Sequence, residues 1–329
     1  MAKSVTGIAI GNDNLCMAVC DNGTVQKVVI EPLPEGLKAD GRLVSIDAAA
    51  DFIKQVAREF GGVSKRAALV LSGAESLTRC LNLPAMTERE LSLNLPYEFR
   101  DYISQGKDRY YYDYALLRMQ TDADGTPETM DIMASAVSKQ VIEDYAAMMR
   151  RAGMKLVAAL PTSAALQNVV SGNPAATHCC IIDFAYQTTN LHFFKDGMYD
   201  IGRVVETGAI DIDRAIAGSY NVDDHVAQTY RLTNYEDSLR CQAAADVYER
   251  IAVEVQRALN FYEFNNPDVA VEHVYFCGSG QGNEAMVAAV EGYVDRTFES
   301  ISGLIDAHGE LASLAVECPA AVGATIGVR

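Results

Sequence analysis

The sequence has no tryptophan, no excess of basic residues and no long apolar run. Its 329 residues include 27 Lys and Arg against 44 Asp and Glu, which gives a formal net charge of −17. Such an acidic chain is repelled by nucleic acid and by anionic membrane surfaces, which argues against both as direct partners. Its apolar runs are shorter than the ~18 residues of a membrane-spanning helix, and its start lacks the layout of a signal peptide. We therefore expect an acidic cytosolic protein that reaches a membrane only through partners.

Patterns for disulfides and metal centres are missing as well. None of the eight cysteines forms a Cys-x-x-Cys pair, and most lie among strand or core residues. We interpret them as reduced, buried, small hydrophobes. The five histidines show no ligand spacing, so a metal centre made of side chains alone is not predicted. The cysteines are Cys16, Cys20, Cys80, Cys179, Cys180, Cys241, Cys277 and Cys318.

A polar turn after a buried strand is the most informative feature of the chain. Residues 181–191 read IIDFAYQTTNL, in which apolar β-formers lead into Asp183 and a turn carries Thr188 and Thr189. The pattern predicts a strand, a turn and an antiparallel strand. Hydroxyls and backbone N–H groups in such a turn suit phosphate oxygens, and the Asp183 carboxylate suits Mg²⁺ or its waters.

A similar hairpin opens the chain, with strands predicted at Val5–Ile10 and Leu15–Cys20 around the turn Gly11–Asn14. One hairpin near the start of each half predicts a duplicated α/β domain with a cleft between the copies. The length and the 49% hydrophobic content are sufficient for two lobes.

Within the first half, the pattern of residues 77–152 predicts an insert made of a strand, a helix, two strands and a helix. Thr87 and Glu90 form a capping-box pattern that opens a helix running towards Ile103, and Pro96 predicts a kink or a break in it. In the strand that begins at Tyr110, residues 110, 112 and 114 are expected to face one way and Tyr111 the other. These tyrosines could pack in the core of the insert or form a docking surface, and the sequence leaves both interpretations open.

In the second half, Gly278–Gln281 follows a predicted buried strand, His273–Cys277, and residues 293–297 are predicted to be extended. A long helix is predicted over Ala243–Phe264. Glu254 and Arg257 lie one turn apart on it, and an exposed charge ladder that includes Arg250 explains them as well as a ligand contact does.

Taken in chain order, the turn Gly11–Asn14, the turn after Asp183 and the turn Gly278–Gln281 resemble the phosphate-one, phosphate-two and adenosine motifs of actin-like ATPases. Over essentially the whole chain the sequence is similar to the PilM family of type IV pilus proteins, and more distantly to FtsA. The insert carries the most specific part of the resemblance. Its residues are Thr78-Arg79, Leu83-Pro84-Ala85-Met86, Glu90-Leu91, Tyr97-Glu98, Tyr102-Ile103, Asp113-Tyr114, Ala134–Val137, Val141–Tyr145 and Ala152-Gly153.

The resemblance implies an α/β, actin-like (ribonuclease H-like) duplicated two-lobe fold with an FtsA/PilM-type 1C insert. The first lobe is expected at residues 1–173, made of 1A with 1C at about 77–152. The second is expected at residues 174–329, made of 2A with 2B at about 208–268.

The resemblance also implies a nucleotide site for ATP or ADP with Mg²⁺, in which Asp183 is the metal-facing residue and Glu254 and Arg257 lie on the adenosine side. A scaffold that holds no nucleotide is the alternative. No catalytic residue is predicted. The candidate residues are Gly11, Asn12, Asp13, Asn14, Asp183, Thr188, Thr189, Gly208, Glu254, Arg257, Gly278, Ser279, Gly280 and Gln281.

Several positions depart from the family pattern. Ala9 stands where the first hairpin usually has Asp, and Ala185 stands where the second usually has Gly. The third turn has Ser279 and Gln281 in place of a run of glycines, and Ala209 follows Gly208. Because phosphoryl transfer depends on positioning and charge neutralisation, we expect turnover to suffer more than binding.

Two functions remain open. One is an adaptor at the inner face of the cell membrane that binds the cytoplasmic tail of a PilN-like membrane protein. Pilus assembly ATPases are its further expected partners. The other is a filament-forming ATPase resembling FtsA, with weak activity. FtsA-like proteins carry an amphipathic membrane helix beyond the core, whereas this sequence ends at residues 326–329, which favours the adaptor. A metabolic kinase is disfavoured by Ala9.

Overall fold

The computed structural model describes residues 4–39 and 41–328. The outer ends of the two expected lobes, residues 1–3 and 329, lie outside the described residues. The chain divides into two compact units, Met1–Val169 with Ala320–Arg329 and Val170–Pro319. No helix of the described residues is both long and apolar enough to cross a membrane.

The first unit is built on a five-stranded sheet in the order β10-β6-β1-β2-β3. Residues 5–8 of the central strand are all buried, as expected for a strand that is covered on both faces. The elements are β1 (Val5–Ile10), β2 (Asn14–Asp21), β3 (Thr24–Pro32), β4 (Lys38–Ala39), β5 (Arg42–Leu43), α1 (Ile46–Phe60), β6 (Arg66–Leu71), β7 (Ser76–Pro84), α2 (Glu88–Glu98), β8 (Tyr110–Thr121), β9 (Pro127–Ser138), α3 (Lys139–Arg151), β10 (Lys155–Pro161) and α4 (Thr162–Val170).

The second unit has its own five-stranded sheet, in the order β13-β12-β11-β14-β15. The elements are β11 (Cys179–Phe184), β12 (Thr189–Lys195), β13 (Met198–Val205), α5 (Ala209–Tyr220), α6 (Asp224–Thr233), α7 (Gln242–Asn265), β14 (His273–Cys277), α8 (Glu284–Glu291), β15 (Thr297–Ser300) and α9 (Glu310–Ala315). The last helix, α10 (Pro319–Gly323), begins at the final residue of this unit, and its other residues belong to the first unit.

The two sheets share one topology. In each, the first strand pairs antiparallel with the second and parallel with a later strand, and the second pairs antiparallel with the third. A further parallel strand completes each sheet. The predicted duplication of an α/β unit that opens with a hairpin is therefore present.

The predicted lobe boundaries stay a prediction, but the contacts within the chain group Ala320–Arg329 with the first unit. The reason is close packing between backbones. A Cβ on Gly7 would lie 1.8 Å from the Ala321 carbonyl oxygen, and one on Gly323 would lie 1.9 Å from the Ala165 carbonyl oxygen. Glycines at residues 7 and 323 let the C-terminal segment contact β1 and α4 directly.

The insert forms a three-stranded sheet, in the order β7-β9-β8, that packs against α2. The Thr87–Glu90 capping box is present, but α2 ends at Glu98, before the predicted Ile103. Pro96 lacks the N–H that would bond to the Ser92 carbonyl, which weakens the last turn.

In β8, the tyrosines at 110, 112 and 114 pack against the Leu91, Leu95 and Phe99 cluster, and Tyr111 is exposed. Core packing therefore accounts for three of the four tyrosines. In the second unit, residues 293–296 close the turn after α8 and are not extended, because the Val294 N–H bonds back to the Val290 carbonyl. The strand begins only at Thr297.

Candidate functional site

The turn after β11 is fixed largely by its own backbone. The Ala185 N–H donates to the Asp183 and Thr188 carbonyls, at 3.1 Å each. The Cβ of Ala185 therefore sits on a turn whose first N–H is already bonded within the protein. Asp183, half-buried in the last part of β11, retains the predicted position at the end of a buried strand.

The third predicted turn lies directly against this one. Gly278 has a φ of +92°, and a Cβ there would lie 2.2 Å from Asp183 Oδ1. The Gly280 N–H donates to the Phe184 carbonyl at 2.8 Å. Ser279 and Gln281 belong to the same turn and are half-buried. The structure thus brings Asp183 together with Gly278–Gln281, which the sequence separates by about a hundred positions.

The two threonines have different environments. Thr189 is 1% exposed, and its hydroxyl donates to the Thr207 carbonyl at 2.9 Å. Because this hydroxyl already donates its proton within the protein, it could only accept a hydrogen bond from a ligand. Thr188 is half-buried, and its hydroxyl donates to Asn190 Oδ1 at 3.2 Å.

The start of α5 closes over the same turn from the other side. The N–H groups of Ala209 and Ile210 donate to the Ala185 and Tyr186 carbonyls, at 3.3 and 2.8 Å. A Cβ on Gly208 would lie 2.5–2.6 Å from backbone atoms of residues 186–188. Gly208 is thus a close-packing residue whose replacement would push the turn away from α5.

A buried ion pair next to this turn was missed by the sequence analysis. Arg231 Nε donates to Asp213 Oδ1 at 2.6 Å, between α6 and α5, and Asp213 is 1% exposed. The Arg231 guanidinium lies 5.9 Å from the centre of the Tyr186 ring, and the Tyr186 side chain bonds to Asp213. Burial raises the pKa of Asp213, while Arg231 and Tyr186 act in the opposite direction. In the sequence, Tyr186 inside a polar turn was the one feature that could have indicated a buried polar partner near this turn.

Glu254 and Arg257 pair with each other on α7, and the Arg257 side chain is 71% exposed. This is the geometry of a surface ion pair one helical turn apart, with a contribution of a few tenths of a kcal/mol. The charge ladder with Arg250 and the adenosine contact by these two residues both stay predictions.

The remaining candidates, Gly11–Asn14, form the turn of the first unit. The Gly11 N–H donates to the Asn14 carbonyl at 2.8 Å, and the Leu33 N–H donates to the Asp13 carbonyl at 2.9 Å. A Cβ on Gly11 would lie 2.7 Å from Asn14 Oδ1. Lys38, which the sequence analysis also missed, reaches this turn and donates from Nζ to the Ile10 carbonyl at 2.7 Å.

The donors present fit Mg²⁺ poorly as a protein-built centre. Within residues 4–39 and 41–328, no three His, Cys, Asp or Glu side chains group as metal ligands. In the second unit Asp183 is the one carboxylate assigned to the metal, and in the first unit Ala9 offers none. Mg²⁺ keeps several waters and binds through one or two carboxylates plus substrate phosphates, so Asp183 would hold it only together with a bound phosphate group.

One family model matches most of the chain. A family model described as type IV pilus assembly protein PilM matches residues 14–306. A search of curated proteins found no match.

Among solved structures, the chain is similar to a PilM-PilN type IV pilus biogenesis complex at 21% identity, with a TM-score of 0.81 over 99% of this chain and 98% of that one. It is also similar to the ethanolamine utilization protein EutJ from Carboxydothermus hydrogenoformans, at 14% identity and a TM-score of 0.62 over 99% and 90%. A ROK family glucokinase from Streptomyces griseus, solved with glucose and AMPPNP, gives 12% and 0.51 over 98% of both chains. At these identities the likeness shows the fold alone, and it confirms the predicted actin-like α/β class.

Proposed function

The chain belongs to the PilM family of type IV pilus assembly proteins, and from that premise we propose that it is a cytoplasmic adaptor of a pilus assembly platform. In this role it binds the cytoplasmic N-terminal tail of a PilN-like membrane protein and stays at the inner face of the membrane through that partner. The observation that carries the proposal is the match to the family model over residues 14–306, supported by the likeness to a PilM-PilN complex.

The insert is the region proposed to receive the tail, in a groove that it forms with the rest of the first unit. Six large hydrophobic residues of the insert are exposed, including Leu93 at 66% and Tyr97 at 60%. A contiguous patch of exposed apolar side chains marks an interaction surface, and we propose that some of these six residues form one. The other four are Tyr102, Tyr111, Leu116 and Met119.

Cations lie over three of the exposed rings. Arg79, Lys107 and Lys139 lie 4.3, 4.6 and 5.4 Å from the ring centres of Tyr102, Tyr97 and Tyr111. These contacts hold the rings in place before binding, which reduces the entropy lost when a peptide docks.

Acidic residues outnumber basic ones in the chain. We therefore expect a tail with Lys or Arg beside its apolar anchors.

For the nucleotide site we propose a degenerate role, in which hydrolysis is lost. Ala9 supplies no carboxylate, and the Ala185 N–H and the Thr189 hydroxyl are bonded within the protein. Phosphoryl transfer needs charge neutralisation and exact positioning of donors, and both are reduced here. The FtsA-like alternative, a filament-forming ATPase, requires these donors to be released.

Calorimetric titration of the full chain with the synthetic N-terminal peptide of a PilN-like protein from the same genome tests the adaptor role. We expect binding in the micromolar range of short motifs, which is about −8 kcal/mol. A scrambled peptide of the same composition is the control. Absence of binding, or equal binding of both peptides, would contradict the proposal.

A further inference from the structure

The outer strand of the second sheet, β13, has an open edge. Its strand partner among the described residues is β12, and β13 ends the sheet order β13-β12-β11-β14-β15. Beyond an irregularity near its start, residues 201–205 pair with β12 in regular register. Residues 201–204 are all exposed. A regular, exposed edge presents backbone N–H and C=O groups on its outer side, and these can pair with a further strand.

The first unit protects its equivalent strand, β3. This strand also ends its sheet, after the same kind of hairpin, and it contributes no exposed large hydrophobic residue. It carries Lys27, Glu31 and Pro32, and charged residues and proline are the usual means by which proteins block an edge. Lys27 Nζ also donates to the Gly61 carbonyl at 2.7 Å, directly after α1. The same edge is therefore blocked in one unit and open in the other.

Apolar side chains lie on both sides of the open edge. Ile201 and Arg203 share the face that α7 covers, because the Arg203 guanidinium lies 5.2 Å from the centre of the Phe261 ring. Val204 points to the opposite face and is 58% exposed. Phe264, three residues beyond Phe261, is 84% exposed, the highest value among the large hydrophobic residues that the structure describes. A neighbouring strand would cover both faces, whereas a partner on the α7 face would leave Val204 in water.

The surface beside this edge carries no excess of negative charge. The charged residues of β13 and of the last two turns of α7 are Asp200, Arg203 and Glu263. Asp200 Oδ2 accepts from the Tyr262 hydroxyl at 2.9 Å. Glu263 Oε2 accepts from Arg296 Nη2 at 2.6 Å, so the charges in this region balance.

This balance decides which partner fits the edge. Two copies of a chain with a net charge of −17 repel each other, so they can approach most easily where the local charge is neutral. A basic partner would instead be recognised by carboxylates displayed at the surface. Here Asp200 and Glu263 are already bonded within the protein. The edge of one strand also complements the edge of an identical strand, as a two-fold interface requires.

We propose that this edge binds a second copy of the chain, with β13 pairing antiparallel to β13 of the copy. A two-fold axis perpendicular to the sheet makes the two strands antiparallel and keeps both α7 helices on one face. Phe261 and Phe264 of the two copies then lie beside the new pair of strands, and the two five-stranded sheets become continuous. The proposal is independent of the peptide-binding role, because all of these residues belong to the second unit.

Sedimentation velocity of the full chain, from nanomolar to high micromolar concentration, tests this. We expect a concentration-dependent equilibrium between monomer and dimer. Val204→Lys places a charge on the edge and should weaken the dimer at least about tenfold. Leu232→Lys adds the same charge at a residue of α6 that is 70% exposed, and it should match wild type. Because a lysine reduces the net negative charge, a loss in Val204→Lys cannot come from stronger repulsion between copies.

Hydrogen exchange identifies the surface that is used. The amides of residues 201–204 should exchange more slowly at high than at low protein concentration in wild type, and equally at both in Val204→Lys. If Val204→Lys does not fold, as judged by circular dichroism, Phe264→Asp should weaken the dimer in the same way. Leu93→Asp, in the insert, should leave the dimer intact.

The proposal is overturned if the wild-type chain stays monomeric at high micromolar concentration, or if Val204→Lys and Phe264→Asp both dimerise as wild type does. A dimer lost in Leu93→Asp would place the interface on the insert and overturn it as well. So would a chain that is monomeric alone and whose β13 amides are protected only by another protein. Titration of the PilN-like peptide into Val204→Lys should give the wild-type result, which separates failure of this proposal from failure of the adaptor role.

Discussion

Gly278 lies so close to Asp183 that a Cβ at residue 278 would be 2.2 Å from Asp183 Oδ1. The same added carbon would be 2.8 Å from the Phe184 carbonyl oxygen. This contact holds the turn after β14 against the end of β11, within the second unit.

We predict that Gly278→Ala destabilises the protein by about 3 kcal/mol or more, because it adds a backbone clash to a φ of +92°. Urea unfolding measures the loss. Gly282→Ala is the matched control, since nothing lies within 4 Å of an added Cβ there and its φ is not in the left-handed region. Equal effects of the two substitutions would contradict this prediction.

A second prediction concerns the C-terminal segment. Gly7→Ala would place a Cβ 1.8 Å from the Ala321 carbonyl oxygen, so β1 and α10 must move apart, at a cost of about 3 kcal/mol. We expect a lower thermal midpoint and faster proteolysis after residue 319. Gly73→Ala, where an added Cβ has open space, should change neither. A Gly7→Ala chain with an unaltered proteolysis pattern would show that the segment is not held in this way.

The sequence predicts features that depend on neighbouring residues, and it does not predict those that depend on residues far apart in the chain. The hairpins around residues 11–14 and 185–188 rest on local apolar strands and polar turns, so the pattern predicts them directly. Lys38 and Ile10 are 28 positions apart, and a single lysine in a polar stretch gives no periodic signal. The Asp213–Arg231 pair joins two helices whose relative packing is tertiary. The packing of the C-terminal segment on Gly7 depends likewise on the assembled fold.

The Asp213–Arg231 pair should behave as a buried pair. Removing one partner, as in Asp213→Ala, leaves the other charge desolvated, and we expect a loss of about 3–5 kcal/mol in urea unfolding. The double variant Asp213→Leu with Arg231→Met removes both charges, and it should lose less stability than Asp213→Leu alone or Arg231→Met alone. Additive losses would show that the two side chains act separately.

The exposed leucines of the two units allow a matched test of the peptide site. Leu93 on α2 is 66% exposed, and Leu232 on α6 is 70% exposed. We predict that Leu93→Asp weakens binding of the PilN-like peptide about tenfold or more, because an acidic group replaces an apolar contact. Leu232→Asp should leave the titration unchanged. The reverse pattern would move the docking surface to the second unit.

The last prediction concerns hydrolysis. Purified protein with ATP and Mg²⁺ should release phosphate no faster than the buffer blank, and Asp183→Ala should release it at the same rate. The reason is the donor set, in which Ala9 lacks a carboxylate, the Ala185 N–H is bonded to Asp183 and Thr188, and the Thr189 hydroxyl is bonded to Thr207. A metal held by the single carboxylate of Asp183 would position the attacking water poorly. Measurable turnover that disappears in Asp183→Ala would mean that these donors are released on nucleotide binding, and the chain would then be a working ATPase.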